Sequence, residues 1–320
     1  MTDQARRLPE VVRENQRFLW GLCYRLTGCA ADADELVQET FARAVAHPPA
    51  RPDEPWRPWL VRVAVNLGRD LLRRRRRQAY DGPWLPSPVE TDERGIIGEA
   101  PDESSQSGEM PADARYGLLE SVTFAFLIAL EALSPLQRAA LVLRDVLGYS
   151  AEETGRTLGL SPGHVRITHL RARRALAAHD RARRPPAALA AETREALVAF
   201  VRALGRGDVA AVESLMAESV RLTSDAGGEF AAARLPILGR NRVARFYLGL
   251  LAKLGPAGPS ALHTLNGLPA LVGQMARAAS PWAPRFVVRC DLDDHGHIVE
   301  IHSVQARRKL TAVPFAPLPP

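Results

Sequence analysis

Along the first quarter of the chain, apolar residues return every three to four positions. In "DADELVQETFARAVAH" the residues Leu36, Val37, Phe41, Ala44 and Val45 fall on one face at the helical period. Asp32 and Asp34 sit near the start of that segment, where carboxylates suit the helix dipole. "HPPARPDEP" (His47–Pro55) stops the helix, because prolines remove backbone donors. "WRPWLVRVAVNLGRDLLRRRRR" begins another, with Leu60, Val63, Leu67 and Leu71 as its expected apolar stripe. The period lapses between Glu90 and Ala114, where acidic and small residues replace apolar ones and predict a linker. It returns from about Tyr116 to Ala178 and halts at Pro185–Pro186.

Beyond that stop the grammar changes. Two short helices, "REALVAFVRALGRGD" and "VAAVESLMAES", precede strand-like "VRLTSD" and "FAAARLPI". A further helix, "NRVARFYLGLLAKLG", leads to "ALHTLNGLPALV" and then "RFVVRCDLDDHGHIVEIHSV". The last reads as a hairpin turning at Asp293–Gly296. Helices segregated from an antiparallel sheet predict α+β. The fold expected for the whole is multidomain, all-α first and α+β after.

Composition narrows the function. With 320 residues, 46% of them hydrophobic, the chain has enough apolar material for two or three domains. A net charge of +6 favours an acidic partner. Cys23, Cys29 and Cys290 have no metal-ligand or disulfide spacing and fit small buried hydrophobes in a reducing cytoplasm. No signal peptide and no membrane span is read from the sequence.

The charge is concentrated in one place. "SAEETGRTLGLSPGHVRITHLRARRALA" (Ser150–Ala177) opens with Ser150 and Glu153 at capping-box spacing, turns at Gly159, and caps a second helix with Ser161 before Pro162. That second helix is expected to turn Val165 and Leu170 inward and to present His164, Arg166, His169, Arg171, Arg173 and Arg174. Seven arginines face one acidic residue between Ser161 and Arg184. A short helix, a glycine turn and a basic helix suit the DNA major groove.

These segments resemble an RNA polymerase sigma factor of the sigma-70 family, extracytoplasmic-function type. "YRLTGCAADADELVQETFARAV" with "PWLVRVAVNLGRDLLRRRRR" is similar to region 2, and "ALEALSPLQRAALVLRDVLGYSAEETGRTLGLSPGHVRITHLRARRAL" to region 4. The resemblance implies core RNA polymerase and promoter DNA as partners. Asp34, Glu35, Gln38 and Glu39 would meet the polymerase β′ clamp, and region 4 the β flap. Asn66 would face −10 bases while Arg69, Arg73 and Arg74 follow the backbone. His164, Arg166, His169, Arg171 and Arg173 would read the −35 element.

"YDGPWLPSPV" (Tyr80–Val89) resembles the W-L-P-E-P signature of a subgroup with a C-terminal SnoaL-like cone, with Ser87 in place of Glu. "NGLPA" (Asn266–Ala270) matches that subgroup. "SDAGG" carries Ala226 where a glycine is expected, and "VQARRKL" has Ala306 and Arg307 for Asn-Pro. Trp84, Leu85, Pro86, Asp225, Asn266 and Gly267 are accordingly expected at the contact between ribbon and cone. The organisation expected is region 2 at 8–80, a linker with the WLPSP motif at 81–115, region 4 at 116–180 and a regulatory SnoaL-like domain at 190–313. No catalytic residue, metal or cofactor is expected, and an unidentified small ligand in the cone is left open. The competing reading is a non-sigma helix-turn-helix regulator with a ligand-sensing cone. Region 2 separates the two, since such a regulator needs no clamp-docking helix.

Overall fold

A computed structural model describes residues 3–49, 55–78, 80–91, 116–182, 184–255, 257–275 and 280–315. The acidic stretch expected as a linker lies, from residue 92 on, outside the described residues. The chain forms two compact units: Met1–Ala79 with Glu93–Arg183, and Tyr80–Asp92 with Arg184–Pro320.

The first unit begins with three helices, α1 (Asp3–Thr27), α2 (Ala30–Ala46) and α3 (Trp56–Arg77). Leu19, Leu22, Cys23 and Leu26 of α1 meet Ala33, Leu36 and Val37 of α2 and Leu60, Ala64 and Val65 of α3 in a fully buried core. The stripe expected on α3 is displaced. Leu60 is buried, but Val61, Ala64, Val65, Gly68 and Leu72 complete the inner face, while Val63, Leu67 and Leu71 are half-buried. The physical reason is the close helix approach. A Cβ on Gly68 would stand 3.4 Å from Leu26 Cδ1 and 3.7 Å from Leu36 Cδ1, so the small residues take the crossing. On α2, likewise, Thr40 and Ala44 are buried, Phe41 is half-buried and Val45 is 65% exposed.

The same unit continues through short helices: α4 (Phe124–Ala129), α5 (Pro135–Leu141) running into a π turn at Val142–Val146, α6 (Ala151–Leu158), α7 (Pro162–Ala175) and α8 (Ala177–Ala182). Their starts are written in serines. Ser134 with Gln137 and Ser150 with Glu153 form complete capping boxes. Ser161 Oγ accepts from the His164 N–H at 3.3 Å. Gly159 closes α6 in the left-handed conformation (φ 68°). A Cβ on Gly155 would lie 2.6 Å from the Leu160 carbonyl oxygen, so only glycine lets this turn fold back on its helix.

In the second unit α9 (Pro186–Arg206), α10 (Val209–Ser214) and α11 (Arg240–Leu254) pack on a six-stranded sheet. The strands are β1 (Met216–Asp225), β2 (Ile237–Leu238), β3 (Ala257–Leu265), β4 (Leu268–Met275), β5 (Arg285–Leu292) and β6 (Ile298–Val304), in the order β2-β1-β6-β5-β4-β3. Only β1 and β6 run parallel. The core joins Leu197, Phe200, Val243, Tyr247, Cys290 and Ile301. All three cysteines are buried free thiols.

Two boundaries differ from expectation. The helix of "VAAVESLMAES" stops at Ser214, and Met216–Ser219 join β1. "FAAARLPI" supplies only Ile237 to a strand, because its preceding residues form an irregular loop. "ALHTLNGLPALV" is a hairpin between β3 and β4, turning on Asn266 (φ 53°) and Gly267 (φ 80°) as a two-residue turn with both residues left-handed.

Candidate functional site

Helix α7 presents His164, Arg166, Arg171, Arg173 and Arg174 to solvent. Arg166 is held across the turn by Glu152, 3.0 Å away. His169 is a correction: its side chain is 13% exposed and Nε2 lies 2.7 Å from Asp145 Oδ1, so it braces the π turn and is not aimed outward. Leu170 also departs from expectation and is exposed, as is Ile167. Val165, Thr168 and Ala172 form the inward face, since small residues are needed where α7 crosses α5. The arginines therefore flank an apolar pair that hydropathy alone assigned in part to the core.

On α3, Asn66 is exposed and its Oδ1 accepts from Arg69 Nη1 at 3.3 Å. Arg73 pairs with Asp70 at 2.8 Å, and Arg74 is exposed. The arginine run is not uniform. Arg75 donates to Thr27 O at 2.9 Å and to Glu131 at 2.8 Å, and Arg76 donates to Leu133 O. Glu131 also receives Arg138 at 2.6 Å, whose Nη1 reaches Leu26 O at 3.0 Å. Arg25, 1% exposed, donates to Ser121 Oγ at 2.7 Å. Four arginines thus join the first three helices to the segment that carries α4 and α5. Sequence reasoning missed them, because an arginine that caps carbonyls looks like any other surface charge.

Asp34, Glu35, Gln38 and Glu39 are exposed along α2. Asp34 accepts from Trp20 Nε1 at 2.6 Å and Glu39 pairs with Arg43 at 2.9 Å. Phe41 and Val45 continue the Asp34–Gln38 row at helical spacing, so this outer face is mixed acidic and apolar.

The proline ribbon belongs to the second unit and is bound there at both ends. Asp225, at the end of β1, has a side chain with 0% exposure. It accepts from Tyr80 Oη at 2.6 Å, the Leu85 N–H at 2.7 Å and the Gly227 N–H at 3.1 Å. Lys309 Nζ, 4% exposed, donates to Asp225 and to the Leu85 carbonyl. That ammonium also lies 4.3 Å from the Trp84 ring centroid and 4.8 Å from that of Tyr80, a cation between two aromatic faces. Further along, Asn266 Oδ1 accepts from the Val89 N–H at 3.0 Å and the Asn266 N–H donates to Val89 O at 2.9 Å. Gly267 N–H donates to Thr91 Oγ1 at 3.0 Å. Leu85, Pro86, Ser87, Pro88 and Val89 are buried, and Trp84 is half-buried. Ser87 is wholly covered, so the hydroxyl occupies a space with no solvent. The prolines suit this role: their backbone lacks donors, and the two N–H groups of Leu85 and Val89 meet carboxylate and amide oxygens.

His302 lies on β6, paired with Thr223 of β1 and Arg289 of β5. It is 5% exposed, and burial pushes its pKa down to about 4 despite Asp291. A neutral, enclosed imidazole beside Asp291 and Glu300, at 3.7 and 3.8 Å, is part of the packing.

Residues 11–78 match the model of Sigma-70 region 2, and residues 124–176 that of Sigma-70, region 4. Two sigma-70 regions in this order define a sigma-class initiation factor, not an enzyme and not a lone helix-turn-helix regulator. The ECF RNA polymerase sigma factor SigJ of Mycobacterium tuberculosis is 34% identical over 260 residues, covering 79% of this chain and 76% of the relative. SigG of the same organism is 36% identical over 221 residues, 64% of this chain and 58% of SigG. The crystal structure of SigJ superposes with a TM-score of 0.69 at 26% identity, covering 96% of this chain and 99% of that one. The chain belongs to the extracytoplasmic-function sigma factors, here with an α+β domain after region 4.

Proposed function

We propose that this chain directs core RNA polymerase to promoters carrying −35 and −10 elements, and that its cone domain tunes that activity through the ribbon. On this reading α7 enters the −35 major groove with His164, Arg166, Arg171 and Arg173, while His169 supports the helix from behind. Asn66 takes an unstacked −10 base, a task for an amide that both donates and accepts, while Arg69, Arg73 and Arg74 follow the phosphates. The outer face of α2, with Asp34, Glu35, Gln38 and Glu39, meets the polymerase clamp. The work is done in the cytoplasm, where polymerase and DNA are found. Among the described residues no helix is long and apolar enough to cross a membrane.

The observation that carries the reading is the separation of the arginines into two kinds. The arginines of α7 and Arg73 and Arg74 of α3 lie on the surface, where the carboxylates of Glu152 and Asp70 that hold Arg166 and Arg73 can be exchanged for a polyanion. Arg25, Arg75, Arg76 and Arg138 are spent on the Ser121 hydroxyl, carbonyls and Glu131 inside the unit.

The arginine contacts that join the first three helices to the segment of α4 and α5 have a geometric consequence. Elements about 25 base steps apart span about 85 Å at 3.4 Å per step. A compact unit of about 170 residues has a radius of gyration near 15 Å and a diameter of roughly 40 Å. Regions 2 and 4 must therefore part when both elements are read.

In vitro transcription with core polymerase over a genomic promoter library tests the proposal. Start sites sharing a −35/−10 pair are the expected result. Failure to initiate at any promoter, with the C-terminal unit present or removed, would exclude it.

A further inference from the structure

A cavity of about 720 Å³ lies within the second unit, between α9, α11 and the inner face of β4–β6. Close-packed domains do not leave such a space by accident of packing, and small-molecule pockets fall in the range of about 300–1,000 Å³. Phe200, Leu204, Phe246, Leu250, Phe286 and Val288 form much of its wall. Among the described lining residues no side chain carries a charge. An ionised ligand would thus lose its hydration against a wall that offers no counter-charge, at prohibitive cost.

The polar groups are few and grouped. Tyr247, 8% exposed, lines the cavity where it meets the packed core, and its buried hydroxyl has no hydrogen-bond partner. Burial raises the phenol's pKa, with the Cys290 thiol beside it, so the group is a neutral donor. Ser303 and Gln305 of the β6 end also line the space, with Gln305 Nε2 3.3 Å from Ser303 Oγ. The Tyr247 hydroxyl has no accessible surface and belongs to the packed core, so the Ser303–Gln305 pair is the polar end of the space.

We infer that the cone is a receptor for a neutral, mainly apolar small molecule, on the order of 20 non-hydrogen atoms, that presents one hydrogen-bonding group to the Ser303–Gln305 pair. Its body fills the aromatic and leucine wall. Among the described lining residues none is a general base, and the proposal is of binding alone.

The ligand's effect rests on the function proposed above; its binding does not. Gln305 lines the cavity with its side chain while its N–H donates to the Asp225 carbonyl at 2.7 Å. Ala231–Ala233 line the cavity on one side and, on the other, a small cleft shared with Asp81, Gly82 and Pro83. An occupant therefore touches two segments that adjoin the ribbon and the strand that binds it.

The test uses the purified full chain without polymerase, so it stands whether or not the promoter reading holds. The probe is 6-propionyl-2-dimethylaminonaphthalene, an uncharged dye whose emission shifts to the blue in apolar surroundings. One saturable site per chain with a micromolar dissociation constant is expected. Naphthalene-1-carboxamide should displace the dye at least tenfold more effectively than naphthalene-1-carboxylate. Gly205 is at the rim, and a Cβ there meets nothing within 4 Å. Gly205→Trp should obstruct the mouth and weaken binding tenfold or more without lowering the melting temperature. Gln305→Leu should weaken the carboxamide at least threefold while the melting temperature holds, because the side chain's bond to Ser303 is long, at 3.3 Å, and its backbone N–H is kept. Absence of a saturable site overturns the inference. So does equal displacement by the carboxylate, or binding indifferent to both substitutions.

Discussion

Lys309→Met tests the ribbon clamp most directly. It keeps a chain of similar length and removes, among the described residues, the cation bonded to the Asp225 carboxylate. Asp225 would retain Tyr80 Oη, the Leu85 N–H and the Gly227 N–H, but as a buried anion without a counter-ion. Removing one partner of a buried pair costs about 3–5 kcal/mol. The three remaining donors favour the lower end, and a thioether between Tyr80 and Trp84 recovers part of the lost cation–π energy. About 3 kcal/mol is therefore expected. For a unit of this size that lowers the melting temperature by roughly 6–12 °C. Asp225→Asn should cost a similar amount, since Lys309 would then remain a buried cation that has lost its carboxylate. The double variant should be clearly less harmful than the sum, by about 2 kcal/mol, because it buries no unpaired charge.

Calorimetry of the full chain and the two single and one double variants supplies these numbers. Hydrogen exchange localises them: the Leu85 amide, bonded to Asp225, should exchange far faster in Lys309→Met, and the Val89 amide, bonded to Asn266, much less so. Strict additivity, or single variants melting within 2 °C of the parent, would refute the claim that this ion pair holds the ribbon.

The remaining expectations are more compact. Arg166→Ala and Arg171→Ala should each weaken −35 binding by about 1–3 kcal/mol if they read base edges, whereas Asn66→Ala should leave −35 binding intact and reduce permanganate-detected melting of the −10 region. His169→Ala should cost about 1–3 kcal/mol of stability by leaving buried Asp145 without its partner, yet sequence preference at −35, measured on the folded fraction, should not change. His302 has a pKa of about 4 when folded against 6.5 ordinarily, so the unfolded chain takes up a proton that the folded one refuses. Its contribution is whole above pH 6.5 and is lost as pH falls towards 4, by about 3 kcal/mol at 1.4 kcal/mol per unit. The raised Glu300 carboxyl acts in the opposite sense, so urea midpoints across that window should be compared between the parent and His302→Gln.

What could be read in advance follows the range of the interaction. Caps and turns are local, and Ser150, Glu153, Gly159 and Ser161 could be placed from neighbours three residues away. Helical period located α2, α3 and α7 but misjudged their inner faces by one position. Which side turns in is decided by the partner helix, and Gly68 and Ala172 win the crossing over Leu67 and Leu170 because they allow closer approach. Arg75 and Arg138 were illegible for a related reason: their acceptors, Thr27 O, Leu26 O and Glu131, become neighbours only once the chain has folded. The two-residue β2 shows the converse, a strand too short for any alternating pattern. The motif residues of the ribbon could be named from resemblance, yet nothing in the spacing showed that Lys309, over 220 residues downstream, would stand on Trp84.

The departures from the subgroup motifs can now be weighed by position. Ala226 stands where a glycine is expected, but the left-handed backbone here belongs to Gly227 (φ 60°) and Gly228 (φ 72°), and both glycines are present. A Cβ on Gly228 would lie 2.9 Å from Asp81 Oδ2, so it is this glycine that admits the ribbon. Ala306 replaces an asparagine, but it is the backbone N–H of Ala306 that donates to the Asp225 carbonyl, at 3.1 Å, and any residue other than proline supplies that. Ser87 is enclosed, and a carboxylate there would need a buried cation of its own. The clamp thus keeps the groups whose chemistry is specific, Asp225, Lys309, Trp84 and Asn266, and varies where backbone or small size is enough.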